Sequence, residues 1–413
     1  MKRNFVSLGE ISEIMGGYAF KSSMMSDEPK KYQIIKMSNL YRGVLDLSRS
    51  PSFWENVDSK TERYLLKEND ILMTLTGTVG KRDYGYTVQL KNENNLLLNQ
   101  RVCCIRPRQK KVHTFYLFQY LRTQEFLNKF FDCSIGGTGN QSNVGISDLR
   151  ELDIYLPPST EQKAISDLLS TWDEAIERTE RLIQAKEKRL NAYARNLFDP
   201  VKNAKFDDWK TIKLKTVLTE HSNKSTGLEE VYSVSVHKGL VNQIKHLGRS
   251  FSAANTDNYN CVHCGDIVYT KSPTGDFPLG IVKQSYVEKD VIVSPLYGVF
   301  APVAFNLGIV LDLYFSSPIR ARNYLFSIVQ KGAKNTIAVT NEAFLSRSLR
   351  LPVTKAAQKV IAEFVKTSRK EISLLKQLAK KYETQKRGLM QKMLTGKWRV
   401  RSEIISQGKG DKS

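Results

Sequence analysis

The strongest constraint on this chain is that it is written twice. Glu68-Asn69-Asp70-Ile71-Leu72-Met73-Thr74 lines up with Cys264-Gly265-Asp266-Ile267-Val268-Tyr269-Thr270. A turn containing Gly follows each: Thr76-Gly77-Thr78-Val79-Gly80 in the first copy, Ser272-Pro273-Thr274-Gly275 in the second. Arg101 to Pro107 faces Tyr297 to Pro302, and Leu152 to Pro157 faces Arg347 to Pro352, at a steady offset of 195 to 196 residues. Solenoid repeats run about 20–50 residues, so a period this long means a duplicated domain.

A long helix is expected after each copy. Pro157-Pro158-Ser159-Thr160-Glu161-Gln162 is a start signal, with Ser159 as N-cap and Gln162 as its capping-box partner, and Pro200 limits the far end. Positions spaced alternately four and three are Ile165, Leu169, Trp172, Ile176, Thr179, Ile183, Lys186, Leu190, Tyr193 and Leu197. Adding 196 to each gives Ile361, Val365, Ser368, Ile372, Leu375, Ala379, Tyr382, Lys386, Leu389 and Met393. Apolar residues dominate both series, as in a coiled-coil seam. The simplest reading is that the helices pair with each other and set the two domains at the ends of a rod; the alternative is that each lies on its own domain.

Within each copy, short β-branched runs such as Gln33 to Met37, Ile71 to Leu75 and Val102 to Ile105 read as strands, and Phe115 to Phe131 reads as a helix. The expected fold class is α+β: two tandem domains, each followed by a long helix, the helices forming an antiparallel coiled coil with pseudo-twofold symmetry. The boundaries are 1–157 for the first domain, 158–199 for its helix, 200–352 for the second domain, 353–395 for its helix, and 396–413 for a polar basic tail.

Charge narrows the partner. The 413 residues carry a net +21. Residues 1–156 hold 22 basic and 17 acidic groups, 199–351 hold 18 and 13, 157–198 hold seven of each, and 352–394 hold 11 and 3. An excess shared among folded segments argues for a docking surface for a polyanion, nucleic acid before an anionic membrane, rather than for a basic arm. The second helix carries the largest single share, +8 from its 11 and 3 against 0 from the seven of each in the first, so if the two pair, Glu177, Glu180 and Glu187 of the first are expected to face that basic excess.

Other classes are poorly supplied. Val291 to Leu311 is uncharged, yet Pro295, Pro302, Gly298, Gly308 and Asn306 would disrupt a spanning helix. Five scattered cysteines do not make a disulfide framework, and the N-terminus lacks the apolar core of a signal peptide, so a reduced, cytoplasmic setting is expected. The phosphate-loop, dinucleotide and zinc-protease motifs are missing, as is an Asn/Asp-Pro-Pro-aromatic methyltransferase tetrapeptide, so no catalytic residue is assigned. Cys261-Val262-His263-Cys264 is half of a zinc signature with no second half following it, so no metal is expected.

The polar turns are the best nucleic-acid candidates. Gly136 to Asn143 offers backbone N–H groups, the Thr138 hydroxyl and the amides of Asn140, Gln141 and Asn143, which suit phosphates and adenine edges. Lys334, Asn335 and Thr336 stand at the matching place in the second copy. Thr76, Thr78, Lys81 and Arg82 belong to the first turn, and Lys271 and Thr274 to the second. Arg101 is either a contact or a hydrogen-bonder within the sheet.

These residues together resemble the specificity subunit of type I restriction-modification enzymes, over essentially the whole length. Val6 to Ile11 with Gly16-Gly17-Tyr18-Ala19-Phe20 is similar to the family's domain opening, and Asn69-Asp70-Ile71 through Gly77 to Lys81 to its central turn. Leu98-Asn99-Gln100-Arg101-Val102 resembles the next strand, Gly137 to Asn143 with Ile154 to Gln162 the loop and helix entrance, and Leu394 to Val400 the ending. The second copy departs, with Leu351-Pro352-Val353 and Ala357-Gln358 where the first has Leu156-Pro157-Pro158 and Glu161-Gln162.

The resemblance implies two target recognition domains, each reading one half of a bipartite double-stranded DNA site. It implies helices that space the domains and dock partner subunits, and a chain that is not itself catalytic. Two methyltransferase subunits would bring S-adenosylmethionine and methylate adenine, and two restriction subunits would bring ATP and Mg, with no cofactor in this chain. The competing class is a stand-alone architectural DNA-binding protein with two modules on a coiled-coil rod; a DNA-methylating enzyme is third.

Overall fold

Apolar runs of three to six residues, too short for helices and bounded by turn formers, become the strands of a layered core. The computed structural model describes residues 4–136, 140–247, 256–331 and 337–400. The chain divides into two compact units, Met1–Thr179 with Leu378–Ser413, and Glu180–Gln377. The helices Ser159–Leu197 and Lys355–Met393, 39 residues each, are therefore divided between the units rather than forming modules of their own.

The first unit is built on an antiparallel sheet ordered Ser12–Gly16, Val102–Pro107, Ile71–Thr74, Thr87–Gln89. Strand Phe5–Ser7 pairs with Asp153–Tyr155, and the helices Thr114–Tyr120 and Gln124–Asp132 cover the core. The second unit repeats the order with Leu218–Glu220, Gly298–Pro302, Ile267–Tyr269 and Val282–Gln284. Trp209–Lys213 pairs with Ser348–Pro352, and Phe305–Phe315 and Pro318–Phe326 are the covering helices. Asp70 and Asp266, at equivalent positions, are both buried and accept a bond from the backbone N–H three residues earlier, Lys67 at 2.8 Å and His263 at 2.7 Å.

Three details depart from the sequence expectations. The helix expected over Phe115 to Phe131 is two helices, because the Thr123 hydroxyl accepts the Phe126 N–H and starts a second one. The first long helix opens one residue early: the Pro158 carbonyl already accepts the Gln162 N–H at 3.0 Å, so Ser159 lies inside. Gln162 does not close a capping box. Its amide donates to the Pro157 carbonyl at 2.9 Å, and its oxygen accepts from the His113 N–H at 2.8 Å. In the second unit Gln358 likewise donates to Pro352 at 3.0 Å. A tertiary partner thus decides where this side chain reaches.

The uncharged stretch Val291 to Leu311 resolves into two strands, Val291–Val293 and Gly298–Pro302, and the start of a helix, mostly buried. No helix among the described residues is long and apolar enough to cross a membrane.

Within each unit the two long helices run antiparallel. In the first, Glu161 meets Arg399, and some eleven residues further along the first helix Trp172 meets Tyr382, ring centroids 5.6 Å apart, and Asp173 meets Lys386 at 2.5 Å, so the partners drop from 399 to the 380s as the first helix advances. In the second, Lys186 meets Glu371 and Glu187 meets Lys376, both at 2.6 Å, and Tyr193 meets Phe364. Of the three glutamates expected to face basic partners, Glu187 has this cross-helix lysine. The 20 seam positions named from the sequence are all buried or half-buried, Ile165, Leu169 and Val365 completely.

Candidate nucleic-acid interface

The first unit's turn after Ile71–Thr74 folds back as a ribbon. Thr76–Thr78 pairs antiparallel with Gln141–Asn143, which pairs in turn with Ile135–Gly136. Thr76 stands opposite Asn143 and Thr78 opposite Gln141, so four residues separated by more than 60 positions share one patch. Alternation along the strand turns Gln141 and Asn143 to the exposed side and buries Ser142.

A hydrogen-bond lattice fixes the ribbon from behind. Thr76 Oγ1 donates to Asn143 Oδ1 at 2.8 Å, which leaves the Asn143 amide N–H groups pointing elsewhere. Asp83 accepts from the Thr78 backbone N–H and from its hydroxyl, both at 2.8 Å. These bonds hold the exposed Asp83 carboxyl below the usual carboxylate range, the Thr78 backbone bond foremost. Tyr84 contacts Ser134 Oγ at 2.8 Å and Ser142 Oγ at 3.1 Å, and the two serine hydroxyls touch each other. Gly77 is needed here, since a Cβ would sit 2.3 Å from the Tyr84 ring.

Beside the ribbon lies a cavity of about 400 Å³ whose wall includes Gly17, Thr76, Gln100, Arg101, Gln141 and Asn143. Gly17 is fixed by packing: its Cβ would lie 1.9 Å from the Asn99 carbonyl oxygen. That close approach explains why Gly16-Gly17-Tyr18 and Leu98 to Val102, distant in sequence, act as one feature. Arg101 is exposed, and its backbone takes the left-handed conformation (φ 70°) while its carbonyl accepts the Leu75 N–H at 2.9 Å. The backbone thus serves the sheet and the guanidinium is presented outward.

The other sequence candidates are placed less centrally. Lys81 is exposed on the turn, whereas Arg82 is engaged, donating to Asn128 Oδ1 at 2.8 Å and stacking over Phe131. Asn140, exposed at φ 62°, accepts the Val79 N–H through its carbonyl at 3.2 Å. Thr138, Lys334, Asn335 and Thr336 lie outside the described residues. In the second unit Lys271 is half-buried, and burial lowers its ammonium against the opposing pull of Glu220. Thr274 exchanges two backbone bonds with Phe277, closing a turn. Gln330–Lys331 pairs with Ile337–Ala338 as a two-stranded ladder, where the first unit has three strands.

A basic hollow escaped the sequence reading. Arg63, Lys67, Arg106 and Arg150, against the carboxylates of Glu13 and Glu62, line a cavity of about 700 Å³ that shares Gly16 with the first. Two of them are structural: Arg106 grips Asp70 bidentately at 2.7 and 2.8 Å, and Arg150 donates to the Ile14 carbonyl at 2.8 Å. No local pattern marks this group, which three separate segments contribute.

Comparison with known proteins agrees with this architecture. Residues 2–187 match the family described as the type I restriction modification DNA specificity domain. The EcoAI specificity subunit of Escherichia coli is 25% identical over 175 residues, 42% of this chain and 28% of that protein. The putative MjaX specificity subunit of Methanocaldococcus jannaschii is 22% identical over 90% of this chain and 88% of its own. The crystal structure of a type I restriction-modification S subunit from M. genitalium superimposes with a TM-score of 0.57 at 16% identity, covering 95% of this chain and 96% of that one.

Proposed function

We propose that this chain, whose residues 2–187 match the type I restriction modification DNA specificity domain and which is similar over most of its length to a putative type I specificity subunit, is itself a specificity subunit, each of its two units reading one half of a bipartite DNA target. Partner subunits then carry out the chemistry there. The observation that carries this reading is the ribbon of the first unit. Gln141 and Asn143 stand exposed side by side, braced from behind by Thr76, with Arg101 at the cavity wall. A carboxamide pairs bidentately with the N6 and N7 edge of adenine, and a guanidinium with guanine. Lys81, with Arg63 and Lys67 of the neighbouring hollow, would hold phosphates, which orient the duplex without reading it.

The chain itself supplies no catalytic group in this proposal. Methyltransferase subunits bring S-adenosylmethionine and methylate adenine, restriction subunits bring ATP and Mg, and the long helices serve as spacer and dock. Co-expressing the chain with its methyltransferase partner and sequencing the methylated genome tests this. Two short conserved half-sites with a fixed unread gap are expected. One continuous motif, or methylation by the chain alone, would contradict it.

A further inference from the structure

Away from the recognition ribbon, the second unit gathers three unlike donors on one face of a two-stranded ladder. Asn260–Val262 pairs antiparallel with Val291–Val293, Val262 facing Val291. Side chains alternate along a strand, so Cys261 and His263 share a face. Just past the ladder's last pair, the side chain of Asp290, next to Val291, meets that of His263. The donor atoms of Cys261, His263 and Asp290 accordingly lie within 4.8 Å of one another.

We propose that Cys261, His263 and Asp290 bind a zinc-class divalent cation, with water completing a four-coordinate site. Thiolate, imidazole and carboxylate are the donors such an ion takes, at about 2.0–2.3 Å. Tetrahedral bonds of that length place the donors about 3.3–3.8 Å apart. His263 Nδ1 now stands 2.7 Å from Asp290 Oδ1, so these nitrogen and oxygen donors part by about 0.6–0.8 Å to admit the ion. Cys261 is 5% exposed while the side chains of His263 and Asp290 are 40% and 57% exposed, a buried sulfur floor with a rim open to entering ions.

The proton balance is simple. The thiol gives one proton to solvent as sulfur takes the ion. The ring proton shared with Asp290 moves from Nδ1 to Nε2, where Asn223, now 3.1 Å away, turns its amide over to accept it. Cys264, exposed and outside the cluster, has no part in the site.

The test uses the full chain, stripped with a chelator, then titrated with Zn²⁺ by calorimetry and with Co²⁺ by absorption. One ion per chain is expected, with a thiolate-to-cobalt charge-transfer band and about one proton released. Cys261→Ser removes the band, and Asp290→Asn, at an exposed position where folding is not at stake, weakens affinity at least about tenfold. Cys264→Ser changes nothing. Absence of saturable binding, a band that survives Cys261→Ser or is lost in Cys264→Ser, or an unchanged affinity in Asp290→Asn would each overturn the proposal.

Discussion

Arg399 closes on the buried carboxylate of Glu161 with two hydrogen bonds, Nε to Oε1 at 2.6 Å and Nη2 to Oε2 at 2.5 Å. The pair joins the start of the first long helix to the segment just past the end of the second. Both ends of the resemblance, Pro157 to Gln162 and Leu394 to Val400, are thus one clasp. The second unit has Ala357 where Glu161 stands in the first, so this clasp belongs to the first unit alone.

Arg399→Ala should destabilise the first unit by about 2 kcal/mol, less than the roughly 3–5 kcal/mol of a fully buried pair because Arg399 itself is partly exposed. Adding Glu161→Gln should recover part of the loss, since the charge left behind is then gone. Urea unfolding of the two variants and their combination measures the coupling, and strictly additive losses would show that the clasp contributes nothing.

What was legible and what was not divides by the distance over which a residue finds its partner. The heptad seam could be read because its period is local, down to Lys186 and Lys386 at seam positions. The duplication could be read because a steady offset survives even where identity does not. Residues whose partners lie across the fold were misread or missed: Gln162, which turns to His113; Arg63 and Lys67, which enter one hollow; and Asp290, which meets His263 only through strand register. Of the contact candidates, Thr76, Thr78, Gln141 and Asn143 converge by ladder pairing, which no single-chain pattern specifies.

Lys386 gives a pH signature. It is buried in the seam against Asp173, and burial, outweighing Asp173, holds its ammonium below the ordinary value of 10.5. The unfolded chain therefore binds more protons through the window between the lowered value and 10.5, so stability from this group rises with pH there. Asp173→Ala should cost about 1–3 kcal/mol near neutrality and lower the lysine further, so its deficit shrinks as pH is raised from 7 towards 10. Denaturation midpoints across that range decide it; a deficit that grows with pH would contradict the assignment.

Base and phosphate contacts should separate by salt dependence. Asn143→Ala is expected to cost about 1–3 kcal/mol at the preferred target and to relax specificity at one position, with the salt slope unchanged. Lys81→Ala should weaken binding to every sequence alike and reduce the slope by about one. Titrations of the assembled complex on matched and mismatched duplexes at several salt concentrations distinguish the two.

The proposed spacer role sets a length. Adding one heptad after Ile183 and one after Ala379 lengthens each helix by about 10 Å at 1.5 Å per residue, which is up to about three base pairs at 3.4 Å each. The gap between half-sites should widen by that amount with both half-sites unchanged, and methylation at the original spacing would sink the spacer role.

The most direct measurement is a methylome. Residues 1–156 are replaced by the corresponding domain of a relative with a different target, and the genome methylated by the resulting complex is sequenced. Because base readout is local, one half-site should change and the other should stay as it was. A chimera that alters both half-sites, or neither, would contradict two independently reading units.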